Sequence, residues 1–387
     1  MNSLILKKGR ERSLKRRHPW IFSGAVEKGG GKAGETLEVR DNSGKVLAHA
    51  AYSPQSQIRA RVWTFDPAEA VDAAFFRNRI QKALVLRDAL PAAKHTNALR
   101  LVNGESDGLP GLVVDRYADV LVAQFLAAGV ERWRDPVLDA LTEISGCEAI
   151  FERSDAEVRK LEGLEPRVGF ARGNRDAQRC PIIEYGLNFR VDVEAGQKTG
   201  FFLDQRENRR LARTLAGGKR VLNLFSYSGA FGVYAAAGGA ASVTNVDVSA
   251  PAIEAARENA SLNGVVAEQV VADAFQYVRQ KHGPFDLVVC DPPAFAKSRN
   301  EVERAARGYK DVNLYAMRMI APGGMMMTFS CSGHLSLDLF QKVMFAAALD
   351  AGRRISFVRR LTAGPDHPVS MYCPEGEYLK GFLLEVH

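Results

Sequence analysis

A cysteine and an acidic turn carry the chemistry that this sequence suggests. Cys331 lies in Phe329-Ser330-Cys331-Ser332-Gly333, directly after an apolar run typical of a buried strand. A second apolar run leads into Asp291-Pro292-Pro293, where two prolines hold the chain extended. Because a thiolate is a strong nucleophile, the two segments predict covalent catalysis in a cleft where neighbouring strands end.

Most lone cysteines are small buried hydrophobic residues, and that alternative applies to Cys331 as well. Its flanking serines, its glycine and its strand-end position favour a functional thiol. A helical pattern over residues 335–348 follows Cys331, and a helix N-terminus lowers the pKa of a nearby thiol. The remaining cysteines are interpreted as structural: Cys147, Cys180, Cys290 and Cys373.

Methyl transfer to a pyrimidine is the reaction that these residues suit. Attack of a thiolate on carbon 6 of cytosine makes carbon 5 reactive towards an electrophilic methyl group. Asp291 is predicted to hydrogen-bond the ring nitrogen or the amino group of the cytosine. Phe295 is predicted to stack on a base that has been taken out of its helix. The acidic double-proline turn alone would also suit methylation of amino nitrogens. The thiol favours methylation of the ring carbon, because only that reaction needs a covalent nucleophile.

A second constellation predicts the cofactor. The turn Leu224-Phe225-Ser226-Tyr227-Ser228-Gly229-Ala230-Phe231-Gly232 follows a predicted strand at 220–225, and neither the dinucleotide fingerprint nor a phosphate loop is present. Acidic residues end the next strands, where they can bind ribose hydroxyls or adenine, although helix capping is the alternative. The pattern favours S-adenosylmethionine over NAD, held by Phe225, Ser226, Gly229, Asp247, Asp273, Ala274 and Asp291.

Three regions must position these groups. Residues 1–70 show short β-type runs around a hairpin turn at 41–44, which predicts a small β-barrel. Residues 71–180 predict an α+β domain, with a helix at 73–90 that places Phe76, Ile80 and Leu84 on one face, a second helix at 130–144, and a loop or linker at 163–179. Strands and helices alternate through residues 181–387, which predicts a doubly wound α/β sheet.

Composition narrows the class of protein further. A chain of 387 residues with 46% hydrophobic and 25% charged residues is typical of a globular protein with several domains. No apolar run is long enough to span a bilayer, and no secretory signal is evident. Five scattered cysteines indicate neither a disulfide framework nor a metal site. We expect a cytoplasmic protein with no membrane partner and no metal.

The positive charge is concentrated at the N-terminus. The formal net charge is +7, and residues 1–60 alone hold twelve Lys and Arg against five Asp and Glu. Such a local excess predicts a surface for a polyanion, although a solvated basic face is the alternative. Its densest part includes Lys15, Arg16 and Arg17, which we expect to contact RNA phosphates.

The chain resembles the bacterial large-subunit ribosomal RNA cytosine-C5 methyltransferase family along essentially its whole length. The resemblance rests on the acidic double-proline turn, the Cys331 segment, residues 16–24, 104–111 and 198–206, and Tyr378-Leu379-Lys380-Gly381-Phe382. It implies a PUA domain, a central α+β domain and a C-terminal class I methyltransferase domain that uses S-adenosylmethionine. It also implies that Cys331 is the nucleophile.

The same resemblance implies that residues 198–206 pack over the cofactor. Gly200 and Asp204 are then cofactor residues, and Lys198 and Arg206 are RNA-binding residues. Ala294 stands where some members carry lysine, and the second cysteine of other RNA cytosine-C5 enzymes is absent from the acidic turn. The base that removes the carbon-5 proton is therefore left open.

The sequence predicts methylation of carbon 5 of a cytosine in 23S ribosomal RNA. One alternative is an RNA methyltransferase acting on guanine or on an exocyclic amine through the Asp291 turn. The other is a non-catalytic RNA-binding assembly factor. The modified nucleotide and the oligomeric state stay open, and a homodimer is compatible with the sequence.

Overall fold

The computed structural model describes residues 2–280, 282–296 and 298–387, and the chain divides into two compact units. The first unit contains Met1–Ile183, Val191–Leu203 and Pro365–Gly376, and the second contains Glu184–Arg190, Asp204–Gly364 and Glu377–His387. A three-domain division at 1–70, 71–180 and 181–387 stays a prediction. Within the described residues, no helix has both the length and the apolar character that crossing a membrane requires.

The first unit begins with a six-stranded sheet. Its elements are β1 (Ser3–Leu6), α1 (Arg12–Lys15), β2 (Trp20–Phe22), β3 (Val26–Gly29), β4 (Thr36–Arg40), β5 (Val46–Tyr52) and β6 (Ile58–Thr64). The strand order is β2-β6-β5-β4-β1-β3, with Leu37 and Val39 of β4 in the core. The predicted hairpin turn between β4 and β5 is confirmed, since the Asp41 carboxylate accepts hydrogen bonds from the amides of Ser43 and Lys45.

A five-stranded sheet with flanking helices follows in the same unit. Its elements are α2 (Ala73–Asp88), β7 (Ala98–Asn103), β8 (Leu112–Tyr117), β9 (Val120–Phe125), α3 (Ala128–Arg132), α4 (Arg134–Ser145), β10 (Ala149–Ser154), α5 (Val158–Leu161) and β11 (Arg167–Arg172). The strand order is β11-β10-β9-β8-β7. Helix α2 buries Phe76, Ile80 and Leu84, so the predicted apolar face is confirmed.

Two predictions in this region are wrong. Residues 163–179 are not all loop, because β11 pairs antiparallel with β10 as an edge strand. None of the residues of β11 is buried. The strand therefore needs no alternation of apolar and polar residues, which is the pattern that reveals a half-buried strand in a sequence. The single helix predicted at 130–144 is divided between α3 and α4 at Trp133, since Pro136 has no amide hydrogen to continue the helical ladder. A two-stranded sheet of β12 (Cys180–Glu184) and β13 (Leu187–Val191) follows.

The second unit is a seven-stranded sheet with helices between its strands. Its elements are α6 (Arg206–Leu215), β14 (Arg220–Leu224), α7 (Ala230–Ala237), β15 (Ser242–Asp247), α8 (Ala250–Leu262), β16 (Glu268–Val271), α9 (Ala274–Tyr277), β17 (Phe285–Cys290), α10 (Val302–Arg318), β18 (Ile320–Ser330), α11 (Leu337–Ala351), β19 (Ile355–Leu361) and β20 (Lys380–Val386). The order is β16-β15-β14-β17-β18-β20-β19. The predicted doubly wound fold is confirmed.

The direction in which the chain adds strands reverses between β14 and β17. From β14 the chain runs outwards through β15 to β16 and then returns to β17 and β18, and these five strands are parallel. Strand β20 is antiparallel to its neighbours β18 and β19. In open α/β sheets, ligands bind beyond the carboxyl ends of the strands at such a reversal. The turns after β14 and β17 are therefore the expected walls of a site.

Candidate active site

The turn after β14 has an unusual backbone. Phe225 and Tyr227 have φ values of 58° and 47°, which non-glycine residues seldom adopt, and Gly229 has a φ of 72°. A Cβ at Gly229 would lie 2.6 Å from the Cβ of Ala256, so this close approach needs glycine. Strained positions of this kind persist where the surrounding structure fixes them, and they concentrate at ligand sites.

Asp247 fixes that turn from the end of β15. One carboxylate oxygen accepts a hydrogen bond from the Tyr227 amide at 2.8 Å, and the other accepts one from the Ser249 amide at 2.9 Å. The capping alternative is wrong for Asp247, because the Ser249 hydroxyl caps α8. Each carboxylate oxygen keeps a further lone pair, so Asp247 can also accept hydroxyl hydrogens from a ligand.

Ser226 offers a direct test of whether the turn fits an adenosine-containing cofactor. Its hydroxyl is buried, and no group among the described residues forms a hydrogen bond with it. A buried polar atom without a partner is costly unless a ligand or a water molecule satisfies it. Together with the Asp247 carboxylate, the hydroxyl suits a ligand rich in donors and acceptors, so the turn fits the predicted cofactor.

Asp273 caps a helix, which was the alternative to cofactor binding in the sequence analysis. It is the N-cap of α9, and its carboxylate accepts the Gln276 amide at 2.9 Å. Ala274, the first residue of that short helix, is buried. The role of Asp273 and Ala274 in holding adenine stays a prediction.

Gln205 holds Asp291 in the acidic turn after β17. Asp291 is half-buried, and one of its carboxylate oxygens accepts a hydrogen bond from the Gln205 side-chain amide at 2.9 Å. The Gln205 carbonyl in turn accepts one from the Asn208 amide at 2.6 Å. Gln205 is 2% exposed, so the pair fixes the carboxylate within a buried polar network. Sequence analysis missed Gln205, since no local pattern marks a partner 86 residues away.

Cys331 lies beside the same turn. Strands β17 and β18 are parallel neighbours, and the Cys331 sulfur lies 3.8 Å from the carbonyl oxygen of Pro292. The side chain is half-buried, whereas Cys147, Cys180, Cys290 and Cys373 are all buried. Burial raises the pKa of the Cys290 thiol, with a further contribution from the Asp291 charge.

The predicted helix N-terminus beside Cys331 is wrong in position. Helix α11 begins at Leu337 rather than Leu335, and the Ser336 hydroxyl caps it by accepting the Leu339 amide at 3.1 Å. Cys331 precedes that cap in the loop after β18, outside the first helical turn. A helix dipole acts mainly within its terminal turn, so α11 is not placed to favour a thiolate at Cys331.

A hydroxyl network ties the loop of Cys331 to the acidic turn. The Ser332 hydroxyl accepts a hydrogen bond from the Ala296 amide at 3.2 Å and lies 3.0 Å from the hydroxyl of Tyr309 on α10. Ser332 and Tyr309 are fully buried. These two residues were also missed, because their role depends on the approach of segments that are distant in the chain.

Phe295 packs in an aromatic cluster. Its ring centroid lies 4.6 Å from that of Tyr309, 5.7 Å from that of Phe275 and 6.4 Å from that of Phe225. Through this cluster the acidic turn contacts the turn after β14. The predicted chemical site and the predicted cofactor site are therefore adjacent. Phe295 is half-buried, and its stacking on a base stays a prediction.

The segment 198–206 gives mixed results. Asp204 is 2% exposed, and its carboxylate accepts a hydrogen bond from the Tyr378 hydroxyl at 2.5 Å. The predicted RNA contact of Arg206 is wrong, because its side chain is 0% exposed and forms an ion pair with Glu184 at 3.2 Å. Arg209 also pairs with Glu184, at 2.7 Å, so Arg206 belongs to a buried ion-pair cluster of the second unit.

Other predicted residues belong to the first unit. Lys198 is exposed, with its ammonium 4.6 Å from the ring centroid of Phe202, and Gly200 is buried with a φ of 130°. The three residues of the basic surface that are predicted to contact RNA, Lys15, Arg16 and Arg17, are all exposed. The RNA and cofactor roles of these residues stay predictions.

One cluster in the first unit resembles a metal site. Potential ligand atoms of His18, Cys373 and Glu375 lie within 4.8 Å of one another. However, Nδ1 of His18 accepts the Trp20 amide at 3.2 Å, so Nε2 carries the hydrogen that it donates to Glu375 at 3.3 Å. Burial raises the pKa of the Cys373 thiol to about 12. These protonation states favour a hydrogen-bonded cluster, and the absence of a metal stays a prediction.

Comparison with known proteins agrees with this geometry. A PUA-like domain model matches residues 4–65, and the model of an S-adenosylmethionine-dependent methyltransferase family matches residues 173–376. A Shewanella denitrificans protein named ribosomal RNA large subunit methyltransferase I is 50% identical over 391 residues, covering 98% of each chain. An Escherichia coli protein of the same name is 48% identical over 391 residues, covering 99% of each chain.

Solved structures share the fold over the full length. A structure described as a SAM-dependent methyltransferase from Streptococcus mutans aligns with a TM-score of 0.86, 23% identity and 100% coverage of both chains. A methyltransferase complexed with SAH aligns with a TM-score of 0.87, also at 23% identity and 100% coverage. The predicted fold class, with its PUA-like N-terminal domain, is thereby confirmed, and the methyltransferase family model confirms the predicted cofactor. The chain belongs to the S-adenosylmethionine-dependent methyltransferase family.

Proposed function

We propose that this enzyme methylates carbon 5 of a cytosine in 23S ribosomal RNA through a covalent adduct with Cys331. The observation that carries the proposal is the half-buried sulfur, 3.8 Å from the Pro292 carbonyl in the turn that Asp291 opens. A thiol at the carboxyl ends of the central strands suits attack on a base brought into the cleft.

The identity of the relatives supports the RNA substrate. Two proteins named ribosomal RNA large subunit methyltransferase I are 48–50% identical to this chain across nearly its whole length. The exposed Lys15, Arg16 and Arg17 can pair with phosphates, and the exposed Lys198 can add a further positive charge. Phosphate contacts position the RNA, while base choice belongs to the cleft, where Phe295 can stack on the base.

Cys331 and Asp291 have distinct tasks in the proposed reaction. The Cys331 thiolate forms a bond to carbon 6, the double bond between carbons 5 and 6 opens, and carbon 5 becomes nucleophilic. S-adenosylmethionine supplies an electrophilic methyl group. After the carbon-5 proton leaves, the double bond re-forms and the thiolate departs from carbon 6. Asp291 accepts a hydrogen bond from the amino group of the base and so orients the ring for attack at carbon 6.

The cofactor residues are proposed on the geometry of the second unit. Phe225, Ser226 and Gly229 form the turn against the cofactor, and Asp247 accepts hydrogen bonds from its ribose. Asp273 and Ala274 hold the adenine end, and Asp291 borders the methyl group. Gly200 and Asp204 are included as cofactor residues because the family resemblance implies that residues 198–206 pack over the cofactor. A functional free thiol suits the reducing cytoplasm, and formation of a homodimer stays a prediction.

The test is nucleoside mass spectrometry of 23S ribosomal RNA treated with the enzyme and S-adenosylmethionine. We expect 5-methylcytidine, and Cys331→Ala should lower turnover at least about a thousandfold while cofactor binding changes little. The matched control is Cys147→Ala, a buried cysteine of the first unit, which should stay active. Methylguanosine or an N-methylated base as the product would contradict the proposal, as would full activity of Cys331→Ala. Failure to bind S-adenosylmethionine would indicate a binding protein instead.

A further inference from the structure

Lys380 lies beside Cys331 and was not assigned a role from the sequence. It is the first residue of β20, and its Cα is paired across the antiparallel ladder with Ser330, the residue before Cys331. Although lysine usually extends into solvent, Lys380 is only 5% exposed. The sheet register therefore places a buried ammonium next to the loop of the proposed nucleophile.

The hydrogen bonds of Lys380 are directed at this loop. Its ammonium donates to the carbonyl oxygen of Ser332 at 2.8 Å and to that of Tyr378 at 2.9 Å. Both acceptors are neutral, and among the described residues no carboxylate oxygen lies within 4.0 Å of the ammonium. A buried charge without a counter-ion is costly, so its retention needs an explanation.

The electrostatic environment of Lys380 points to Cys331. Burial lowers the pKa of Lys380, while the charges of Glu377 and of the Cys331 thiolate oppose this effect. Two other titratable groups of the described residues, Asp291 and Tyr309, do not favour a thiolate at Cys331. Asp291 would repel it, and burial raises the pKa of Tyr309, which keeps that phenol neutral. Of the charged groups just named, Lys380 alone has the sign that stabilises a thiolate.

We propose that Lys380 is a positioning residue that supplies the positive charge for the Cys331 thiolate and fixes the Ser332 carbonyl behind it. The inference rests on the proposed function, in which Cys331 is the nucleophile. The thiol releases its proton to solvent, and Lys380 keeps its own. Lys380 thus performs the task that the sequence had suggested for a helix N-terminus.

The experiment titrates Cys331 without RNA. The rate of alkylation by iodoacetamide is measured from pH 5 to pH 10, and the modified peptide is quantified by mass spectrometry. The variants are Lys380→Gln, which keeps a donor and removes the charge, and Lys380→Arg, which keeps the charge. Lys342→Gln is the matched control, because Lys342 is exposed on α11 and pairs there with Asp338.

We expect the pKa of Cys331 to lie below about 8.5 in the unaltered enzyme and to rise by at least about one unit in Lys380→Gln. Lys380→Arg should stay within a few tenths of the unaltered value, and Lys342→Gln should not change it. An unaltered enzyme whose Cys331 titrates at or above about 8.5 overturns the inference even if Lys380→Gln does not fold. So does a folded Lys380→Gln variant that titrates like the unaltered enzyme.

The outcome is separable from that of the proposed function. The titration uses neither RNA nor S-adenosylmethionine, so it reports on the thiol alone. Full methylation by Cys331→Ala would refute the nucleophile and remove the reason for the counter-charge. A normal loss of activity in Cys331→Ala together with an unshifted thiol in Lys380→Gln would refute only the role of Lys380.

Discussion

The buried hydrogen bond between Gln205 and Asp291 decides how the acidic turn can act. A carboxylate that faced solvent freely could rotate away from a base, but here Gln205 holds one oxygen at 2.9 Å and Asn208 holds Gln205. A fixed acceptor keeps the base in the orientation that attack at carbon 6 requires.

Gln205→Ala should therefore reduce catalysis more than stability. Hydrogen bonds to charged groups contribute about 1.5–3 kcal/mol, so we expect kcat to fall by about ten- to a hundredfold. Gln205→Glu should be worse, because it places a second negative charge beside Asp291. Single-turnover methylation at saturating cofactor measures the effect. Gln341→Ala, an exposed change on α11, is the matched control, and equal rates for both alanine variants would contradict the role given to Gln205.

At the residue scale, sequence reasoning located the groups that end strands. Cys331, Asp291 and Asp247 each follow an apolar run, and parallel strands bring such positions to one edge of a sheet. Gln205, Ser332 and Lys380 could not be found this way, because their roles come from contacts across long chain separations. Arg206 shows the opposite failure: a basic residue in a matching motif proved to be the buried partner of Glu184.

At the scale of elements, the turn after β14 depends on its glycine. Gly229 combines a left-handed backbone with close contact to α8 through Ala256. The Asp247 hydrogen bonds hold this turn in one conformation. Cofactor affinity should consequently follow the geometry of this turn.

Gly229→Ala should weaken cofactor binding as well as lower stability. The added Cβ would meet the Ala256 Cβ at 2.6 Å, so the turn or α8 must shift. We expect the Kd for S-adenosylhomocysteine, measured by calorimetry, to rise at least about tenfold, a loss of about 1.4 kcal/mol. Gly239→Ala is the control, since its φ of 82° is equally unfavourable but no atom lies within 4 Å of its Cβ. Weakening of the same size in both variants would contradict a specific role for Gly229.

The elements themselves were largely predictable where periodicity was strong. The alternation of strands and helices after residue 181 and the capping signal of α8 were confirmed, since apolar spacing and an N-cap serine act locally. Strand β11 was missed because edge pairing by backbone hydrogen bonds leaves little trace in side-chain types. The start of α11 was misplaced by two residues, which moved the helix dipole away from Cys331.

At the scale of the whole molecule, one buried carboxylate joins the two sheets of the first unit. Glu162 accepts hydrogen bonds from Ser53 at 2.7 Å, from Arg61 at 2.8 Å and from the Ala128 amide at 3.2 Å. It is 2% exposed. Burial alone would raise the pKa of Glu162, but Arg61 and the serine hydroxyls outweigh it and lower that pKa.

This arrangement makes the first unit sensitive to acid. Because the folded pKa of Glu162 is lowered, its stabilising contribution is present above its ordinary value of 4.5 and is lost as the pH falls through the folded pKa. Glu162→Gln should destabilise the unit by about 3–5 kcal/mol at pH 7, because Arg61 loses its buried partner. The difference should shrink below pH 4.5.

Urea unfolding followed by tryptophan fluorescence measures this directly. All three tryptophans, Trp20, Trp63 and Trp133, belong to the first unit. Glu143→Gln is the matched control, because Glu143 forms an exposed ion pair with Arg77 and should contribute little. A Glu162→Gln destabilisation that is the same at pH 7 and at pH 3 would rule out the lowered pKa as its source.

The composition of the chain indicated a basic N-terminal region, but it did not predict which segments belong to each compact unit. The basic surplus before residue 60 falls within the matched PUA-like domain, and its three predicted contact residues are exposed. Residues 191–203 and 365–376, however, belong to the first unit although they lie within the range 181–387 predicted for the last domain. Such returns of the chain depend on tertiary packing, which has no local signature in the sequence.

Trapping the adduct tests the central claim most directly. RNA that carries 5-fluorocytidine is incubated with the enzyme and S-adenosylmethionine, because fluorine cannot leave carbon 5 as a proton does and the sulfur–carbon bond then persists. We predict a complex that survives denaturing electrophoresis, with the nucleotide attached to the peptide that contains Cys331, and no complex with Cys331→Ala. Methylation of ordinary RNA without any trapped complex, or an equal yield from Cys331→Ala, would contradict covalent catalysis by this thiol.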